Sequence, residues 1–233
     1  MIRALATTIA TAAALLVGAV PGQAAGECKG LQVCIPVKGP WVAIPGPGGL
    51  ATQTSWKLTC PRGVVGGVDA RASETAVAIE FPGRIGSPVN PGITTTNSLV
   101  FRGTYSGIAQ RATSYQPYIG CIPTAGGGPR TRTAFQKVTP VKPGDSITLR
   151  ARTIDLESGT LSRTTLRCKS KERLLASSSS VGLYTTDVPT KAQLAAVHVI
   201  RVRRGPRILV SATRRGLADG VRAALQVQAV CAA

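Results

Sequence analysis

The chain has 233 residues, of which 28 are lysine or arginine and 10 are acidic, for a formal net charge of +18. Ten carboxylates and one histidine, His198, leave little material for paired-carboxylate hydrolysis, a His-based triad or a metal centre. The basic surplus favours polyanionic partners, and the length admits one large domain or two small ones.

The N-terminus opens with Arg3, runs through an apolar stretch at 5–20, breaks at Pro21-Gly22 and reaches the small residues Ala24-Ala25. This is the pattern of a cleaved secretory signal, expected at 1–25. The stretch is rich in Thr and Ala and falls short of the roughly 20 strongly apolar residues of a membrane span. No later stretch is apolar enough to cross a bilayer, and Cys28 follows Gly-Glu instead of the small apolar triplet of a lipidation signal. The expected location is therefore secreted or cell envelope.

All six cysteines follow the signal, and an even count in an exported chain reads as three disulfides, although fifteen pairings are possible. No CxxC pair is present, so a zinc site is a poor alternative, and neither a metal nor a cofactor is expected. Cys60 and Cys121 lie 61 residues apart, and Cys168 and Cys231 lie 63 apart, which suggests two disulfide-closed copies of one module. Pro36-Val37-Lys38 precedes Cys60 and Pro140-Val141-Lys142 precedes Cys168 at similar distances, as a tandem duplication would place them. The pairing taken here is Cys28 with Cys34, Cys60 with Cys121 and Cys168 with Cys231.

Along the chain, Thr, Val, Ile and Ser alternate over short runs punctuated by Gly and Pro, the signature of an all-β chain. After a strand around Trp41, the run Pro45-Gly46-Pro47-Gly48-Gly49 reads as a loop. Strands are expected at 55–58, 76–81 and 98–101. Gly63, Gly66 and Gly67 are expected to form a tight turn after the bridged strand. The glycine run Gly126-Gly127-Gly128 marks a Gly/Pro linker at 125–134. It divides a first β module at 26–124 from a second at 135–233, each a small β-sandwich or barrel-like unit. Pro143-Gly144 supplies turn chemistry before a strand at 146–152, followed by strands at 161–167, 197–203, 208–213 and 224–231. In the last, Leu225, Val227, Ala229 and Cys231 share one face, while Gln226 and Gln228 point the other way. Residues 187–194 read as a short helix capped by Thr190, and Ser177 to Ser180 as a polar strand or loop.

Cys60-Pro61-Arg62-Gly63-Val64-Val65-Gly66-Gly67 resembles the opening of a disulfide-closed β module in exported proteins of high-GC Gram-positive bacteria, and Val227-Gln228-Ala229-Val230-Cys231-Ala232 resembles its closing strand. The first half keeps the opening but closes with Tyr118-Ile119-Gly120-Cys121, and the second keeps the close but opens with Cys168-Lys169-Ser170-Lys171. The resemblance carries no assigned activity and implies the cysteine pairing alone.

Catalytic constellations are scarce. The pair Asp155 and Glu157 adjoins Ser158-Gly159, a turn sequence, and His198 sits in an alternating strand. There is no Gly-x-Ser-x-Gly elbow and no phosphate-cradling Gly-Lys-Ser/Thr loop. Charge stands out instead, and Arg201, Arg203, Arg204, Arg207, Arg214 and Arg215 are the candidate anion-binding residues. If Gly205-Pro206 turns a hairpin, three of these guanidiniums crowd its tip, where phosphate or carboxylate would relieve their repulsion. The competing explanation is compositional, since arginine outnumbers lysine throughout. Nucleic acid fits poorly with export and with aromatics too scattered to stack bases. Anionic envelope polysaccharide or phospholipid fits better. Tyr115, Tyr118 and Trp41 could stack on sugars but are expected in the core. The expectation is an exported, non-enzymatic protein of the cell envelope or extracellular space, with a secreted hydrolase or an extracellular inhibitor or effector as the alternatives.

Overall fold

The computed structural model describes residues 26–31, 33–45, 53–81, 97–107, 112–123 and 147–233. The expected signal at 1–25, the linker at 125–134 and the Pro143-Gly144 turn lie outside them, and nothing tests the module boundaries at those positions.

The described chain is nearly all β. Its first half holds β1 (Ile35–Lys38), β2 (Trp41–Ile44), β3 (Gln53–Thr59), β4 (Val64–Ala72), β5 (Val77–Glu80), β6 (Ser98–Tyr105) and β7 (Thr113–Ile122). Its second holds β8 (Ile147–Leu156), β9 (Leu161–Arg167), β10 (Arg173–Tyr184), the one-turn helix α1 (Lys191–Ala195), β11 (Val197–Arg204), β12 (Arg207–Arg214) and β13 (Arg222–Ala232). β1 and β2 follow the same edge of β7, interrupted at Gly39-Pro40, where proline cannot donate to the ladder.

With β1 and β2 counted as one line, both halves pair their strands alike. β7 runs between β1/β2 and β4, as β13 runs between β8 and β10. β6 runs between β3 and β5, as β12 runs between β9 and β11. Cys60, just past β3, is bridged to Cys121 in β7, and Cys168, just past β9, to Cys231 in β13, so each long disulfide ties the smaller sheet to the larger. Immunoglobulin-type sandwiches place a bridge between the same two strands, the second and the sixth. Cys28–Cys34 closes a short loop at the start of the described chain. Ile35 faces Cys121 and Thr148 faces Cys231, so Leu149-Arg150-Ala151 holds the register in β8 that Pro36-Val37-Lys38 holds in β1, while Pro140-Val141-Lys142 lies outside the described residues.

Each half has its own core between its two sheets. Trp56, Leu99, Phe101, Tyr115, Ile119 and the Cys60–Cys121 bridge fill the first. Leu183, Ile208, Val210, Leu225, Val227 and the Cys168–Cys231 bridge fill the second. The sequence leaves open whether the halves pack together, and in the structure they share a sheet. β2 pairs with β10 through Val42 opposite Gly182 and Trp41 opposite Leu183. A Cβ on Gly182 would stand 2.4 Å from the Pro40 ring, so only glycine permits this approach.

The unpaired edge of β3 rests on the outer face of β10 and β13. Gln226 there accepts from the Lys57 N–H at 2.7 Å and donates to the Lys57 carbonyl at 3.0 Å. Ser180 donates to the Ser55 carbonyl at 2.7 Å, while the Ser55 hydroxyl donates to Gln228 Oε1 at 2.9 Å. Side chains thus satisfy a strand edge that would otherwise invite pairing with another chain.

The glycines after Cys60 differ from the expectation. Gly63 does turn the chain, at φ +84°, but Gly66 and Gly67 lie within β4, at a register shift between Val65 and Gly67. Gly67 serves close packing, because a Cβ there would fall 1.7 Å from the Glu27 carbonyl oxygen. The Ser177–Ser180 run is the middle of β10, whose pairing with β13 overrides weak β-propensity. Thr190 caps α1 as expected, in a reciprocal capping box with Gln193.

Candidate anion-binding face

Among the described residues, arginines are concentrated on the sheet β11–β12–β9. Gly205-Pro206 forms the two-residue turn between β11 and β12, with Gly205 at φ +56°, the positive first position that a type II′ hairpin reserves for glycine. The Pro206 carbonyl accepts from the Cys168 N–H at 3.1 Å, which ties the tip of the hairpin to the bridged end of β9.

Alternation then sorts the arginines. Ile208, Val210 and Ala212 are buried, so Arg207, Leu209 and Ser211 point outwards, together with the residues directly opposite them. Arg204 faces Arg207, and Arg207 faces Arg167 of β9, which sets three exposed guanidiniums in one row across three strands. The next row holds Val202, Leu209 and Thr165, and the one after it Ile200, Ser211 and Arg163. Like charges directly opposite in a sheet are destabilising, and an anion lying along the row would relieve that cost through charge-assisted bonds.

The six arginines expected to act together therefore divide. Arg204 and Arg207 belong to the row. Arg201 and Arg203 are turned towards the other side, where they donate to the Ser177 carbonyl at 2.9 Å and the Leu174 carbonyl at 2.7 Å on the edge of β10. Arg214 is half-buried and donates to the Leu156 carbonyl at 3.1 Å. Arg215 is exposed beyond the end of β12, away from the tip. Arg167 completes the row and is absent from the six that the sequence singles out. Its signal is the alternation Leu161, Arg163, Thr165, Arg167, all on the solvent side of β9, but only the β9–β12 register reveals its neighbours.

The other candidates do not join the arginine row. His198, exposed opposite Thr213, is on the same outward side of β11 as Ile200 and Val202, three rows from the arginine row and with no catalytic partner beside it among the described residues. Asp155 forms an exposed ion pair with Arg222 at 3.4 Å, and Arg222 lies 4.0 Å above the Tyr184 ring. Glu157 is exposed beside the turn at Gly159. Cys168, Glu172 and Cys231 bring ligand-type atoms together, but both sulfurs are joined in the bridge and are spent as ligands. Glu172 instead binds Arg150 through both carboxylate oxygens, at 2.7 and 2.9 Å, and accepts from the Lys169 N–H at 2.8 Å. The Arg150 hydrogen bonds, with that of Lys169 next, hold its carboxyl below the ordinary value.

Trp41 and Tyr115 are core residues, and the Tyr115 hydroxyl donates to the Phe101 carbonyl at 3.2 Å. Burial pushes that phenol well above its usual range. Tyr118 is buried too and donates to Gln116. A shallow pocket of about 270 Å³ at the seam between the halves is lined by Lys38, Gly39, Gln116, Tyr184, Thr185 and Thr186, without a carboxylate or histidine.

No protein-family model matches the chain, and neither a curated protein nor a solved structure is similar to it.

Proposed function

We propose that this is an exported, non-enzymatic protein of the cell envelope or extracellular space that holds an anionic partner against the β11–β12–β9 face. The observation that carries the reading is the in-register row Arg204, Arg207 and Arg167, three mutually repelling cations exposed on one surface. Three disulfides support an oxidising compartment, and the N-terminal 1–25 sequence supports export. The matching strand pairings of the two halves support descent from one duplicated module.

The test is binding of a soluble polyphosphate at increasing salt. Affinity falls steeply with ionic strength, and the triple substitution Arg167→Gln, Arg204→Gln, Arg207→Gln abolishes most of it. Binding that ignores salt, or none at low salt, overturns the reading. The inhibitor or effector alternative draws on the exposed apolar residues of the same face, Ile200, Val202 and Leu209.

A further inference from the structure

Resting on the preceding reading, and naming its partner, we propose that the β11–β12–β9 face docks on a bilayer containing anionic phospholipid. The arginine row is one half of an amphipathic surface. Ile200 is 67% exposed, Val202 43% and Leu209 37%, although outward positions of a solvent-facing sheet are ordinarily polar. Val202 lies directly opposite Leu209, and Ile200 is two residues farther along the same face of β11, so the three are contiguous. The Val202–Leu209 pair follows immediately after the row Arg204, Arg207 and Arg167, so apolar and cationic side chains share one face of one sheet.

An exposed apolar patch rimmed by charge marks an interaction surface. A sugar-phosphate or polyphosphate polymer engages the guanidiniums but gives Ile200 and Val202 no apolar medium to enter. A lipid surface answers both halves at once, with headgroup phosphates for the arginines and the acyl boundary beneath for the aliphatic side chains. The long arginine side chains can reach up to the phosphate level while neighbouring aliphatics sink below it. The Pro206 to Cys168 hydrogen bond and the adjacent disulfide hold the tip in place, so the surface is formed before it meets the membrane.

The experiment is co-flotation of the full, oxidised protein with phosphatidylcholine vesicles, with and without phosphatidylglycerol, beside polyphosphate binding in solution. The expected result is binding to the phosphatidylglycerol vesicles. Each arginine contributes about fivefold to partitioning, so the triple glutamine variant loses on the order of 100-fold. Ile200→Ser with Val202→Ser loses roughly tenfold on vesicles and nothing on polyphosphate. All five positions are exposed, and intact circular dichroism and disulfides confirm that the variants fold. If the serine variant binds vesicles as tightly as the parent, the bilayer assignment falls while the anion-binding reading stands. If the parent binds neither vesicles nor polyphosphate, both fall.

Discussion

Gln226 and Gln228 show how much one side chain can carry in this protein. Each is nearly fully buried, and each amide works as a surrogate strand partner for β3. Replacing Gln226 by leucine strands the Lys57 N–H and carbonyl together, which costs about 2–4 kcal/mol. Denaturant unfolding of the oxidised protein measures it, and a change near zero would mean that the two halves do not meet this way in solution. Glu172 offers a pH-dependent counterpart. Its folded pKa lies below the ordinary 4.5, so its stabilisation is fully present above that pH and disappears as pH falls through the lower folded value. Stability of the parent therefore declines on acidification below about pH 4.5, and Glu172→Gln flattens that part of the profile while lowering stability at neutral pH. A profile unchanged by the substitution would remove Arg150 and Lys169 as the cause.

The β11–β12 hairpin joins turn chemistry to charge placement. A Cβ on Gly205 would have no neighbour within 4 Å, so Gly205→Ala meets only the backbone penalty of its positive φ, about 1–2 kcal/mol. That strain falls on the turn that aligns Arg204 with Arg207. The expected outcome is weaker polyphosphate binding together with a modest loss of stability, and an unchanged affinity would mean that the row tolerates a distorted tip. The hairpin is legible in the sequence because Gly-Pro between alternating runs has few other uses. β10 is less so, because four serines carry no hydrophobic period and read equally as strand or loop, and what makes them a strand is their ladder to β13. β4 is hidden for a related reason. Its glycines read as a turn, whereas Gly66 makes room for the Ile122 side chain and Gly67 for the Glu27 backbone.

Two cores joined by one sheet set the behaviour of the assembled halves. Each long disulfide closes a loop of about 60 residues, worth about 4 kcal/mol in the chain-entropy account. Cys168→Ala with Cys231→Ala should lower stability by roughly that amount. Because β2 pairs with β10 and β3 rests on β13, the loss should appear as a shift of one shared transition. Two separated calorimetric transitions would show that the seam contributes little.

The order of residues was enough to establish an all-β chain, three disulfides and a basic hairpin, because alternation, cysteine spacing and turn residues are local signals. What the outward glutamines are for depended on contacts between segments more than a hundred residues apart, and which arginines stand together depended on the register of strands nearer in the chain. Arg167 reached the row through strand register, and Arg201 and Arg203 left it because their strand overhangs the carbonyls of β10. Such pairings are set by how packed sheets meet, and a linear pattern does not encode that geometry one residue at a time.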